Sequence, residues 1–126
     1  MVQPLALIIE DDEKLIDLFA VALQSAGFAI KMALDGQTAL DELAVTVPAL
    51  VILDLHLPKV SGVEVLARIR TDSRLADTRV LLVTADALMV KNLRQDVDLV
   101  LLKPISVKQL RELAQRVISS PNKRKD

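Results

Sequence analysis

The sequence predicts an α/β fold: a doubly wound, five-stranded parallel sheet inside a three-layer α/β/α sandwich. Three observations carry the prediction. Short runs that are apolar on both faces alternate with stretches whose apolar residues recur at helical spacing. The alternation occurs five times, so each helix returns the chain to the same edge and the strands run parallel. Strands without a polar face need helices on both sides of the sheet.

Leu5–Ile9 is the first strand, short and wholly apolar. Leu15, Leu18, Phe19, Ala22 and Leu23 then form a helical stripe, and Gly27 stops it. Phe28–Ala33 is a weaker strand candidate. Asp35-Gly36 turns the chain into a second helix with the stripe Leu40, Leu43, Ala44 and Val47, ended by Pro48. Leu50–Leu53 is the strongest strand signal, and it halts at Asp54. After the Leu57-Pro58-Lys59-Val60 loop, Ser61 and Glu64 stand at capping-box spacing and open a third helix. Val80–Val83 gives the fourth strand, ending at Thr84, followed by a helix from about Asp86 to Gln95. Leu99–Leu102 is the fifth strand and stops at Lys103-Pro104. Ser106 and Gln109 form a second capping box, opening a helix with the stripe Leu110, Leu113, Ala114 and Val117. The residues from Pro121 onward read as a short polar tail, with Lys123-Arg124-Lys125 a solvated end.

Composition narrows the function before any motif does. The 126 residues suit one domain with a substantial core. At 52% apolar the chain is not disordered, yet no run approaches the ~20 residues that span a bilayer. Neither a basic leader nor a small-residue cleavage site marks the N-terminus. Having no cysteine, the chain makes no disulfide and no thiolate metal site, which suits a cytoplasmic location. A formal charge of −1 and only two aromatic residues, Phe19 and Phe28, argue against direct nucleic-acid binding, and the length leaves no room for a second, DNA-reading domain. No membrane partner is expected.

Parallel sheets of this class bind ligands at the carboxyl ends of their strands. Here those ends carry Glu10-Asp11-Asp12, Asp54, Thr84 and Lys103-Pro104. Carboxylates converging on one crevice repel each other, so the set calls for a hard cation or a lysine. Mg²⁺ fits an all-oxygen donor set completed by water and phosphate oxygens. Lys103 and Thr84 suit the holding of phosphoryl oxygens, and Asp54 is placed to attack phosphorus and become an acyl phosphate. Asp12 reads instead as the cap of the first helix.

Taken together, Ile9-Glu10-Asp11-Asp12, Asp54-Leu55-His56-Leu57-Pro58, Ser61-Gly62, Thr84-Ala85 and Lys103-Pro104 resemble the receiver domain of bacterial response regulators, the CheY-like superfamily of two-component signalling. The resemblance covers about residues 4 to 120, giving a receiver domain over 1–120 and the tail at 121–126. It implies a flavodoxin-like fold with strand order 2-1-3-4-5. It further implies that Asp54 accepts phosphate from a histidine kinase or phosphotransfer protein, with Mg²⁺ held by Asp11, Asp54, the His56 backbone carbonyl and, through water, Glu10. Thr84 would swing toward the phosphoryl group, Lys103 would pair with it, and the Lys103-Pro104 bond would be cis. His56 and Asp86 stand where the family tunes acyl-phosphate lifetime, and the His56 ring is expected at the pocket rim. Output would pass by protein contact to a target the sequence does not name, from a monomer or weak dimer.

One departure concerns the switch. An aromatic residue usually stands three positions before the lysine, where this chain has Val100, and a glycine usual ahead of that strand is missing around Gln95-Asp96-Val97. A smaller or different rearrangement of the fourth helix and fifth strand is therefore expected. Three other functions compete. A receiver-like docking module that never uses phosphate would not need the full polar set. A haloacid-dehalogenase-like phosphatase needs a second aspartate two residues after the nucleophile, where His56 stands. A Rossmann domain needs a glycine-rich loop, and Gly27, Gly36 and Gly62 are the only glycines. The sequence thus reads as a phosphoacceptor switch, catalysing only its own phosphorylation and dephosphorylation, rather than an enzyme acting on other substrates.

Overall fold

In the computed structural model, which describes residues 2–122, the chain forms β1 (Leu5–Ile9), α1 (Glu13–Ser25), β2 (Ala29–Ala33), α2 (Gly36–Val45), β3 (Leu50–Leu53), α3 (Gly62–Thr71), β4 (Arg79–Thr84), α4 (Ala87–Val90), β5 (Leu99–Leu102) and α5 (Val107–Ser119). The strands pair in parallel in the order β2-β1-β3-β4-β5. Two cores flank the sheet. One buries Ala6, Ile8, Ile52, Leu81 and Val83 beneath α1 and α5; the other buries Leu7, Ile9, Val51, Leu53 and Leu82 beneath α2 and α3. Alternate residues of one strand thus serve opposite layers, which is why β1, β3 and β4 lack a polar face.

The caps were legible. Asp12 accepts from the amides of Lys14 and Leu15, Asp35 from Thr38, Ser61 from Glu64, and Ser106 from Gln109. Gly27, at φ +98°, closes α1, with the Phe28 amide reaching back to the Leu23 carbonyl. Phe28 therefore belongs to that closure, and β2 begins at Ala29.

Three helices differ from their expected form. In α1 the buried face holds Phe19, Ala22 and Leu23 of the expected stripe together with Ile16, while Leu18 is half exposed. In α2 the buried residues are Gly36, Ala39 and Leu43; Ala44 and Val47 face solvent. That helix ends at Val45, two residues before Val47, because Thr46 turns extended and its amide closes on the Glu42 carbonyl. The helix expected from Asp86 to Gln95 is one turn, Ala87–Val90, followed by a 3₁₀ turn at Arg94–Asp96. Its residues do keep helical spacing, since Met89, Val90, Leu93 and Val97 all pack on the core. Hydrogen bonds to the third residue back win locally, from Leu93 to Val90 and from Asp96 to Leu93. Arg70 fixes the end by donating to the Asp96 carbonyl at 2.7 Å. The expected solvated end Lys123–Lys125 lies outside the described residues. Among those residues, no helix is long and apolar enough to cross a membrane.

Candidate functional site

The carboxyl ends of β1, β3, β4 and β5 bring the predicted polar residues to one edge of the sheet. Glu10 follows β1, its amide donating to the Ala33 carbonyl, and its side chain is buried. Asp54 follows β3, held by its amide to the Ile9 carbonyl, and is 6% exposed. Lys103 follows β5, its amide held by the Thr84 carbonyl at 2.9 Å, and its peptide bond to Pro104 is cis. The strand ladders thus run directly into the site, so its backbone is as rigid as the sheet.

Lys103 is the hinge of the charge arrangement. Its Nζ lies 2.6 Å from Glu10 Oε1 and 3.2 Å from Asp54 Oδ2. Asp11 sits beside them at the surface, and one carboxylate oxygen from each of Glu10, Asp11 and Asp54 lies within 4.8 Å of the others. One ammonium faces three carboxylates, which leaves the cluster anionic. Burial pushes the Glu10 carboxyl above its ordinary value, and the nearby Asp54 charge adds to this, although Lys103 and the Asp12 amide pull the other way. Burial likewise works to lower the Lys103 ammonium, yet its bonds to Glu10 and the charge of Asp54 hold it above the ordinary lysine value. The donor set suits a hard divalent cation: three carboxylate oxygens converge, with no soft ligand among them.

Thr84 ends β4 fully buried, its hydroxyl accepting from the Asp86 amide at 3.1 Å. His56 lies at the rim with its ring largely exposed, as expected; its amide approaches Asp54 Oδ1 at 3.4 Å. Gly62 brings α3 in against this edge. A Cβ there would stand 2.1 Å from the Asp54 carbonyl oxygen and 2.6 Å from Leu55 Cα, so only glycine permits the approach. Its amide donates to the Leu55 carbonyl at 2.8 Å, pinning the segment that follows Asp54.

The family model of the response regulator receiver domain matches residues 6–115. The chain belongs to that family. It is similar to the DNA-binding dual master transcriptional regulator RpaA of Synechocystis sp., 46% identical over 83 residues, or 65% of this chain and 34% of RpaA. It also resembles the transcriptional regulatory protein QseB of Haemophilus influenzae, 36% identical over 115 residues, or 89% of this chain and 51% of QseB. The chain therefore spans about half the length of these relatives or less. Among solved structures, the receiver domain of a LuxO-like repressor protein from Vibrio parahaemolyticus superposes with TM-score 0.84 at 28% identity, over 93% of this chain and 91% of that one. CheY4 of Vibrio cholerae, at 24% identity and TM-score 0.83 over 92% and 99%, shares the fold. As a receiver domain the chain is a signalling switch of two-component systems, not a metabolic enzyme.

Receiver-specific features split into those the sequence located singly and those it did not connect. Glu10, Asp11, Asp54 and Lys103 come together as a cluster; Val100 is instead partly buried against the apolar core between the sheet and α2 and α3. One contact escaped the sequence reading. His56 Nε2 and Asp86 Oδ2 lie 3.0 Å apart across 30 residues, joining two loops. The available signal was positional: His56 stands two places after Asp54 and Asp86 two places after Thr84, at the ends of neighbouring strands.

Proposed function

We propose that Asp54 accepts a phosphoryl group from a phosphohistidine of a sensor histidine kinase or phosphotransfer protein, in a Mg²⁺-dependent reaction, and that the receiver then signals or relays by protein contact. The observation that carries this reading is the Lys103 ammonium bridging Glu10 and Asp54 at the strand ends, with Asp11 completing the acidic group. In the transfer, an Asp54 carboxylate oxygen forms a bond to phosphorus as the donor's nitrogen–phosphorus bond breaks. The electron pair returns to the donor imidazole, which takes a proton from solvent. Little proton chemistry falls to the acceptor, so positioning and charge neutralisation carry the rate.

Asp11, Asp54, the His56 carbonyl and, through water, Glu10 would hold the metal, and bound Mg²⁺ supplies positive charge to the acidic group and to the phosphoryl oxygens. Lys103 already touches the acceptor carboxylate and is poised to donate to a phosphoryl oxygen. Thr84 offers a hydroxyl from the neighbouring strand end. Residues 1–120 form the receiver and 121–126 a polar tail, acting as a monomer or weak dimer in the cytoplasm.

Incubation with Mg²⁺ and acetyl phosphate tests this. The intact mass should rise by one phosphoryl group, and Asp54→Asn should abolish the gain. A mass unchanged with acetyl phosphate and with a phosphohistidine donor would overturn the proposal in favour of a docking module.

A further inference from the structure

Asp86 occupies a junction that no single strand end reveals. Its carboxylate works on two sides: Oδ1 accepts from the Met89 amide and so caps α4, while Oδ2 takes the His56 ring. Its own amide donates to the Thr84 hydroxyl. Both arms lead back to the acceptor. Through His56 the path runs by that residue's amide to Asp54 Oδ1; through Thr84 it enters at the end of β4, the strand paired directly with β3, which leads into Asp54. The Met89 amide and the His56 imidazole together hold the Asp86 carboxyl below its ordinary value, so it meets both as an anion.

The segment beyond it depends on that cap. With only four residues, α4 is too short for intrinsic helical stability. It rests on the core through Val90 and, in part, Met89, while Leu88 is 89% exposed. Val100, on β5, has no ring that could turn between two positions.

We propose that Asp86, braced by His56, is the positioning residue through which phosphorylation of Asp54 resets α4 and the exposure of Leu88. This inference rests on the proposed phosphorylation of Asp54. A phosphoryl group on Asp54 changes the acceptor that the His56 amide faces and recruits the Thr84 hydroxyl, so both arms pull on one residue. The cap of α4 then shifts as a unit, without an aromatic side chain in the path.

The test is amide NMR of the full chain, free and with Mg²⁺ plus beryllofluoride, with intact mass after acetyl phosphate treatment as a separate readout. The wild type should show large shifts at residues 87–90. In Asp86→Ala the mass gain should persist while those shifts collapse toward free-state values, and His56→Ala should weaken them. Asp86→Ser restores a capping oxygen that does not reach His56. It should recover the resting α4 spectrum but not the response, which a purely structural cap would recover. Responses in Asp86→Ala equal to the wild type, or full recovery in Asp86→Ser, would overturn the inference while the mass gain upholds phosphorylation. A wild type that gains no mass under any donor overturns the phosphorylation reading, and this inference with it.

Discussion

The two ends of the sheet treat charge in opposite ways. At the amino ends of the strands, Asp98 is met by two guanidiniums, Arg70 at 3.6 Å and Arg79 at 4.0 Å, and its Oδ2 accepts from the Val80 amide. The arginines are themselves used up on backbone carbonyls: Arg70 donates to Asp96 and Thr78, and Arg79 to Val117 and Ser120. Apart from Arg70 to Thr78, each of these contacts joins elements that are far apart in sequence. At the carboxyl ends, Glu10 and Asp54 share a single lysine while Asp11 stands beside them at the surface. The first end uses its charges to hold α3, β4, β5 and α5 together; the second gathers more carboxylates than ammonium groups, with two of them buried, an arrangement that favours binding a cation. Stability and function are thus written in the same kinds of residue at opposite ends of the same strands.

The largest expected effect comes from breaking the satisfied end. Asp98→Ala strands two nearly buried guanidiniums and removes the acceptor of the Val80 amide. Removal of one member of a buried ionic network costs roughly 3–5 kcal/mol. Urea denaturation should show a midpoint lowered accordingly with an unchanged slope. An unaltered midpoint would mean that this network only decorates a fold that the two apolar cores hold by themselves.

The same kind of truncation at the other end should have the opposite sign. Asp11 is exposed and adds a third negative charge beside Glu10 and Asp54. At 4–5 Å, like charges near a protein surface repel by about 1–4 kcal/mol, and solvent exposure places Asp11 toward the lower figure. Asp11→Asn should therefore raise the melting temperature in EDTA. It should also lose most of the further rise that Mg²⁺ gives the wild type, since ligand binding to the folded state adds stability only when affinity is retained. A thermal scan with and without metal measures both.

What the sequence made legible follows from this division. β1, β3 and β5 match their predicted bounds because runs such as Leu50–Leu53 are apolar without interruption and end on a charge. The acidic group was legible because Glu10 and Asp54 directly follow paired strands and Asp11 comes next after Glu10, so the sheet's register alone brings them together. The Arg70–Asp98–Arg79 network was not, since Arg70 ends a helix and its partners are set by how α3 lies on the sheet. The His56–Asp86 contact was hidden for a similar reason: two loops meet there, and no periodicity describes a loop. The length of α4 was misjudged because Met89, Val90, Leu93 and Val97 keep helical spacing even where the backbone tightens into 3₁₀ turns.

The smallest effect concerns protons, and it separates the two ends once more. Burial raises the Glu10 carboxyl, so in the folded chain Glu10 binds its proton at a higher pH than the ordinary 4.5. A raised carboxyl means that the charged form is disfavoured by folding, so this group's contribution to stability is most favourable below pH 4.5 and is lost as pH rises through the folded value. Metal binding needs the ionised form and runs against that preference. Mg²⁺ affinity, followed by calorimetry in two buffers of different ionisation enthalpy, should accordingly fall as pH is lowered from neutrality toward the ordinary carboxyl range, with proton release on binding growing over the same interval. Glu10→Gln should flatten that dependence. The Asp98 network, at the opposite end of the strands, should contribute nothing to it. A dependence as steep in Glu10→Gln as in the wild type would show that another group carries it.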